Sequence, residues 1–496
     1  MDKELLMGID IGTQGTKILV VDTNGHTVAV GSYSYDFYVP KAGWAEQDPL
    51  QWWHAVQKSL KQIWDKGIKP DQIRGIGVSG QMHSLVLLDE NKEELGNAIL
   101  WNDVRTHKEC TEIEQIVGKS SVLGITRNAV LPGFTAPKLL WVRKHEPERF
   151  ARIRHVMLPK DYIVFKLSGV FSCDVSDASG TALLDTKKRM WSREMVEALG
   201  IPLAWLPEVH ESQTIVGNVS QHAATVTELA VGTEIVAGAG DNAAAALGNG
   251  IYEEGSGIVS VGTSGTVFAP LKQLPIVHDD EQLATLHQFC HCLPDTWHAM
   301  GVTLSAGMSL NWFKHTFSEE SYDAFLAGID DIPAGAGGLY YLPYLNGERT
   351  PHNDPDARGV FFGIHYQHTR DHFTRAVLEG VSYSLRDCYE LIKRCNVSIN
   401  DLYVTGGASK SPAWRQILTD VLGRGLTFFD GREGPAFGAS LLAGLGTGVW
   451  ENAKAFPAFF DTGNETAMIH ENAKQYDTGY HMYKKIYDHV KPLFHS

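Results

Sequence analysis

The sequence predicts an α/β protein made of two related halves, 1–250 and 251–496, and three observations carry that expectation. A short apolar run, Leu6 to Ile11, ends in the turn Gly12-Thr13-Gln14-Gly15-Thr16 and is followed by a second run, Ile18 to Val21. The same pattern returns in Ile258 to Val261 and Gly262-Thr263-Ser264-Gly265-Thr266, with Val259 standing 250 positions after Ile9. Late in each half a glycine-rich turn enters a helix of small residues, Gly240-Asp241-Asn242-Ala243 and Gly434-Pro435-Ala436-Phe437. Repetition of a whole strand-turn-strand unit at half the chain length points to a duplicated fold.

Each element follows from local chemistry. Asn24-Gly25 reads as a two-residue turn joining Ile18 to Val21 with Thr27 to Val30, which makes an antiparallel meander. Asp48-Pro49 reads as a helix cap and first residue, with Leu50, Trp53, Val56, Leu60, Ile63 and Trp64 at three- and four-residue steps before Gly67. Gly75-Ile76-Gly77-Val78-Ser79-Gly80 has dinucleotide-fingerprint spacing, but that fingerprint must open a helix. Here the chain runs on into Gln81-Met82-His83-Ser84-Leu85-Val86-Leu87-Leu88, which reads as strand. Ile235 to Ala237 predicts a strand that sets Asp241 near a helix start. Thr369 to Cys395 predicts a long helix with Phe373, Val377, Val381, Leu385, Cys388, Leu391 and Cys395 on one side. Leu402 to Val404 leads into Thr405-Gly406-Gly407-Ala408, and Ser411-Pro412 caps a helix through Leu422. No long linker or low-complexity stretch interrupts the chain, so the halves are expected to join tightly around a cleft.

Composition narrows the function. With 43 Lys and Arg against 58 Asp and Glu, the net charge of −15 opposes binding to nucleic acid or to an anionic membrane. Any phosphate must be held by local dipoles or a metal. The six cysteines include no CxxC pair and read as reduced, packed thiols. The charged start Met1-Asp2-Lys3-Glu4 does not resemble a signal peptide, and no stretch of about 18 apolar residues occurs, so a cytoplasmic location is expected. Gly118-Lys119-Ser120 has Ile113 where a Walker A loop needs glycine, and neither HExxH nor GxSxG is present.

The turns carry the chemistry. Asp10 ends an apolar strand, where a carboxylate is costly unless a cation or hydrogen bonds meet it. Mg²⁺ suits such a site, since it takes one or two carboxylates plus substrate phosphates. The turn amides, the hydroxyls of Thr13 and Thr16 and the ammonium of Lys17 are then placed to hold phosphate oxygens. Gly262 to Thr266 repeats the cradle without the carboxylate, and Gly406 and Gly407 let backbone lie against a purine or ribose.

These residues together resemble the FGGY family of carbohydrate kinases, within the actin-like ATPase superfamily, over nearly the whole chain. Gly8 to Lys17 is similar to the family's first phosphate motif, Ser260 to Thr266 to its second, and Thr405 to Ala408 to its adenosine motif. Gly133-Phe134-Thr135-Ala136-Pro137-Lys138-Leu139-Leu140-Trp141 resembles one family signature, and Gly359 to Gly363 through Ala376 to Glu379 the other. The resemblance implies two ribonuclease-H-like domains with a cleft between them. The first half would bind sugar and hold the base, and the second would bind nucleotide. It implies Asp241 as catalytic base, with Met82, His83, Trp101, Asp103, Asp241 and Asn242 meeting the sugar. It further implies ATP on Thr13, Gln14, Lys17, Gly262, Thr263, Thr266, Gly406, Gly407 and Ala408, with Asp10 on Mg²⁺. A helix dipole would keep Asp241 ionised, and His83 would donate to a sugar hydroxyl.

The strings Ser79 to His83, Ile99 to Asp103, Leu158 to Tyr162, Gly240 to Ala243 and Gly347 to His352 resemble family members that phosphorylate D-xylulose at its 5-hydroxyl. Ribulose, gluconate and glycerol stay open as acceptors, as does a nucleotide-dependent switch or chaperone ATPase without one. Gln14, Ser84 and Val104 depart from the residues common in the family, which bears on substrate preference. Kinases of this kind often form homodimers.

Overall fold

Leu5–Ile11 and Gly15–Val21 pair antiparallel, with Asp10 opposite Lys17 and Ile11 opposite Thr16. Gly15–Val21 pairs in turn with Thr27–Ser34, completing the meander. Their connection is longer than the two-residue turn expected from Asn24-Gly25. Asp22 N donates to His26 O, the Asp22 carboxylate accepts from the amides of Asn24 and His26, and the register shifts at Val21. A side chain that satisfies two loop amides makes the wider loop self-sufficient. The structure, a computed structural model, describes residues 5–275, 281–429, 434–460 and 463–495.

The chain forms two units. The first comprises Met1–Tyr252, Gln288–Trp297 and Arg432–Phe460, and the second Glu253–His287, His298–Gly431 and Asp461–Ser496. In the first, the strand order is Ile215–Asn218, Glu234–Val236, Ile73–Gly80, Leu5–Ile11, Gly15–Val21 and Thr27–Ser34, with Ala239–Gly240 also pairing with Ile73–Gly80. Ile73–Gly80 runs parallel to Leu5–Ile11, so the ends of both strands come to one edge of the sheet.

Helices cover both faces of this sheet. Pro49–Asp65 starts as expected, the Asp48 carboxylate accepting from Leu50 N, and it buries Trp52, Trp53, Val56, Leu60 and Ile63 while Leu50 faces solvent. On the other side lies Gly434–Gly446. A Cβ at Gly8 would sit 1.8 Å from Ala436 O, and one at Gly77 2.0 Å from Ala439 O. The glycine spacing that resembles a dinucleotide fingerprint therefore makes room for a helix backbone. The two small-residue helices expected in separate halves pack on each other in this one unit: a Cβ at Gly248 would meet Gly434 O at 2.1 Å, and one at Gly438 would meet Ala244 O at 1.9 Å.

The second unit repeats the strand-turn-strand motif. Ser256–Val261 pairs antiparallel with Gly265–Leu271, Ser260 facing Thr266, and parallel with Asp401–Gly406. This is the arrangement of Leu5–Ile11 with its two neighbours. Arg370–Arg394 buries Val377, Val381, Leu385, Cys388 and Leu391, and the Ser411 hydroxyl caps Pro412–Leu422. All six cysteines are buried. Among the described residues no helix is long and apolar enough to cross a membrane.

Candidate active site

In the first unit, the strand ends converge on a small set of polar groups. Asp10 is half-buried near the end of Leu5–Ile11, and its buried Oδ1 has no hydrogen-bond partner among the described residues. Burial raises its pKa to about 6, against the opposing pulls of the nearby Ser79 hydroxyl and of Lys17. An orphaned carboxylate oxygen suits a divalent cation, so the residue fits the Mg²⁺ role.

Asp241 is the first residue of the helix Asp241–Gly248, with Gly240 at the cap position. The expectation that the helix dipole keeps it ionised is overturned. Burial, then the charge of Asp10, raises its pKa to about 7. The dipole's effect is modest beside full desolvation. Asn242 Nδ2 donates to Asp241 Oδ1 at 3.1 Å and lies 3.5 Å from Met82 Sδ, so Met82, Asp241 and Asn242 form one cluster.

His83 follows Met82 in a left-handed conformation (φ 67°), which is uncommon for a side-chain-bearing residue. Three neighbours hold it there. Its carbonyl accepts from Lys138 Nζ at 2.9 Å and Thr135 Oγ1 at 3.1 Å, and its ring stacks on Phe134 with centroids 4.8 Å apart. The signature Gly133 to Trp141 thus fixes the backbone and ring of His83. His83 Nδ1 lies 2.7 Å from Gly180 O and must carry the proton there.

Trp101 is 43% exposed, and its Nε1 donates to Thr13 Oγ1 at 2.9 Å, while Thr13 Oγ1 reaches Gln81 Oε1 at 3.3 Å. Gln47 completes the link, donating to Thr13 O at 2.7 Å and accepting from Gln81 Nε2 at 3.0 Å. Trp101, Gln81 and the first turn are therefore wired together. The Thr13 proton serves Gln81. Gln14 is exposed, Lys17 is half-buried opposite Asp10, and Thr16 is buried against the Tyr35 hydroxyl at 3.3 Å. Burial lowers the Lys17 pKa and Asp10 opposes that shift.

Asp103 does not face a sugar. It is fully buried, and its oxygens accept from Ala45 N at 2.6 Å, Arg105 N at 2.9 Å and the Arg105 guanidinium at 2.7 Å. The guanidinium in turn lies 3.6 Å from the Trp44 ring. With both oxygens spent, Asp103 shapes the segment after Trp101.

The second unit holds a cavity of about 560 Å³ lined by Gly307, Tyr322, Asp323, Gly407, Lys410 and Trp414, among others. Gly406 sits at φ 90°, where a Cβ would be 2.4 Å from Val261 O, so glycine is required. Gly407 is exposed to the cavity, whereas Ala408 is fully buried and contributes no side chain to it. Gly262, Thr263 and Ser264 are exposed, and Thr266 is half-buried. The carbonyls of Gly262 and Thr263 accept from the amides of Gly307, Ala306 and Met308, tying the second turn to the start of Gly307–Phe317. Sequence reasoning did not find Gln47, Gly180, Tyr322 or Asp323. Their roles arise from contacts between distant segments and leave no local pattern.

A half-buried carboxylate at a helix start, a second on a hydroxyl- and amide-rich turn, and the same turn repeated beside a glycine-lined cavity define a phosphotransferase acting on an alcohol group. Residues 5–248 match the model of the FGGY family of carbohydrate kinases, N-terminal domain, and residues 257–447 match the model of its C-terminal domain. The chain belongs to the FGGY family of carbohydrate kinases, whose phosphate donor is ATP. It is 39% identical to the xylulose kinase of Bacillus subtilis (strain 168), covering 98% of this chain and 97% of that one. It is 41% identical to the xylulose kinase of Escherichia coli (strain K12), covering 88% and 89%. The crystal structure of a xyloylose kinase from Brucella ovis superposes with a TM-score of 0.92 at 35% identity, covering 99% of this chain and 100% of that one.

Proposed function

We propose that the protein transfers the γ-phosphoryl group of ATP to the 5-hydroxyl of D-xylulose, giving D-xylulose 5-phosphate and ADP. The observation that carries this reading is the cluster of Met82, Asp241 and Asn242 beside His83, which supplies an acceptor-side base that a nucleotide switch would not need. The names of relatives at 39% and 41% identity over most of the chain support the choice of sugar.

In this reading the first unit binds the sugar and carries the base, and the second binds the nucleotide. His83 meets one sugar hydroxyl, Asn242 meets another, and the Trp101 ring lies against the C–H face. Asp241 aligns the attacking hydroxyl and takes its proton as the oxygen–phosphorus bond forms and the bond to the ADP oxygen breaks. A loose transition state needs little early proton removal, so a carboxylate is an adequate base. Asp10 holds Mg²⁺, which neutralises phosphate charge when bound. The amides of both turns and Lys17 receive the phosphate oxygens. Gly407 offers backbone to the adenosine within the second-unit cavity, in a segment that Gly406 and Ala408 shape.

The test is ADP release measured against D-xylulose, ribulose, gluconate and glycerol. D-xylulose should give the highest kcat/KM. A preference for another acceptor would overturn the substrate assignment, and ADP release independent of any acceptor would overturn the kinase reading itself.

A further inference from the structure

Behind the base, Lys160 is wholly buried among three carboxylates, its Nζ lying 2.5 Å from Asp161 Oδ1, 3.0 Å from Asp174 Oδ1 and 3.9 Å from Asp177 Oδ2. Such a cluster is poor value as a stabiliser, because desolvating the charges cancels most of their attraction. Its connections point to a different use. Asp174 caps the short helix Val175–Ala178, accepting from the amides of Ser176 at 2.8 Å and Asp177 at 3.3 Å. Its Oδ2 also accepts from the hydroxyls of Ser176 at 2.5 Å and Ser212 at 2.8 Å. The Ser176 hydroxyl has one proton, and Asp174 receives it. Its lone pair accepts from Gly240 N at 3.0 Å, one residue before Asp241. The polarity of the chain is thereby fixed: the Gly240 amide donates to the Ser176 hydroxyl, that hydroxyl donates to the Asp174 carboxylate, and the Lys160 ammonium donates to the same carboxylate from the other side. The same segment continues to Gly180, whose carbonyl orients His83.

We propose that Ser176, anchored by Asp174 and Lys160, is a positioning residue that holds the turn carrying Asp241 in line for phosphoryl transfer. The inference rests on reading Asp241 as the base. Removing the hydroxyl strips Gly240 N of its acceptor and Asp174 of one donor, and the turn is free to shift without any change in the groups that touch sugar or nucleotide. Misplacement by about 1 Å costs on the order of 10²-fold in rate.

The test compares Ser176→Ala and Ser176→Thr in the wild-type and Asp241→Asn backgrounds, with hydrogen exchange of the peptide containing Gly240. Ser176→Ala should lower kcat by roughly 10- to 100-fold while KM for both substrates stays within about twofold, and exchange at Gly240 should quicken. Ser176→Thr keeps the hydroxyl and should restore most of the rate. In the Asp241→Asn background, Ser176→Ala should leave the residual rate unchanged, because nothing is left to position. A wild-type kcat in Ser176→Ala alongside a disabled Asp241→Asn would overturn this proposal alone. Equal losses in both backgrounds would also overturn it, by showing a general structural defect. Near-normal turnover of Asp241→Asn would remove the base assignment and this inference with it.

Discussion

Asp241 is held in a state that favours its own protonation, and with Asp241 as the proposed base this ties catalysis to stability through a single carboxyl. Its pKa of about 7 in the folded chain lies above the ordinary 3.8, first because of burial and then because of Asp10. An acid whose pKa is raised by folding binds its proton more tightly in the native state. The resulting stabilisation is complete below about pH 4 and is lost as pH rises through about 7. Asp241→Asn should therefore lower kcat by roughly 10²- to 10⁴-fold, the contribution of a positioned acid–base group. It should also raise the unfolding midpoint of the ligand-free protein at pH 8 more than at pH 5. Each factor of ten in proton affinity corresponds to about 1.4 kcal/mol, so denaturant titrations at the two pH values should resolve the difference. A midpoint that moves equally at both would show that the carboxyl is not desolvated. Asp10→Ala should weaken productive binding of Mg²⁺ with ATP in calorimetric titration while leaving affinity for the free sugar nearly intact.

At the scale of elements, the sheet of the first unit is defined as much by what its strands lack as by what they bury. Gly8, Gly75 and Gly77 line the face on which Gly434–Gly446 lies, and a Cβ at Gly77 would be 2.0 Å from a backbone oxygen that has no side-chain freedom to yield. Gly77→Ala should destabilise the protein by about 1–3 kcal/mol, the usual cost of overpacking a filled core, measurable as a lower denaturation midpoint. The periodicity of strands and helices was legible from the residues, including the caps at Asp48 and Ser411 and the paired turns. Asp10 and Asp241 were legible for the same reason: each stands where an apolar strand meets a turn or a helix start. The roles of Lys138, Gly180 and Ser176 were not, since each is defined by a partner 55, 97 or 64 positions away. Asp103 misled because residue type alone cannot show that Arg105 and the Ala45 amide already occupy its carboxylate.

For the whole molecule, the repeated strand-turn-strand motif serves two different ends. In the first unit it carries a carboxylate, and in the second the equivalent turn is bare hydroxyl and amide beside the glycine-lined cavity. If sugar and nucleotide are handled by separate units, their binding should be separable by mutation. Gly406→Ala, forced into φ 90° and against Val261 O, should weaken nucleotide binding at least tenfold while sugar-induced quenching of tryptophan fluorescence persists. Joint loss of both would argue against that division of labour.

The helix Gly434–Gly446 also sets a constraint in time. The strands it covers leave the ribosome with the first 80 residues, but their lid is made more than 350 residues later. At roughly 5–20 residues per second, the wait is on the order of half a minute. Throughout that interval the glycine-bearing face of the nascent sheet is uncovered, and the chain depends on the rate of translation or on a holding chaperone to avoid pairing with its neighbours. A gene cut after codon 252 would prolong that exposure indefinitely, and only co-expression of the segment 432–460 would end it.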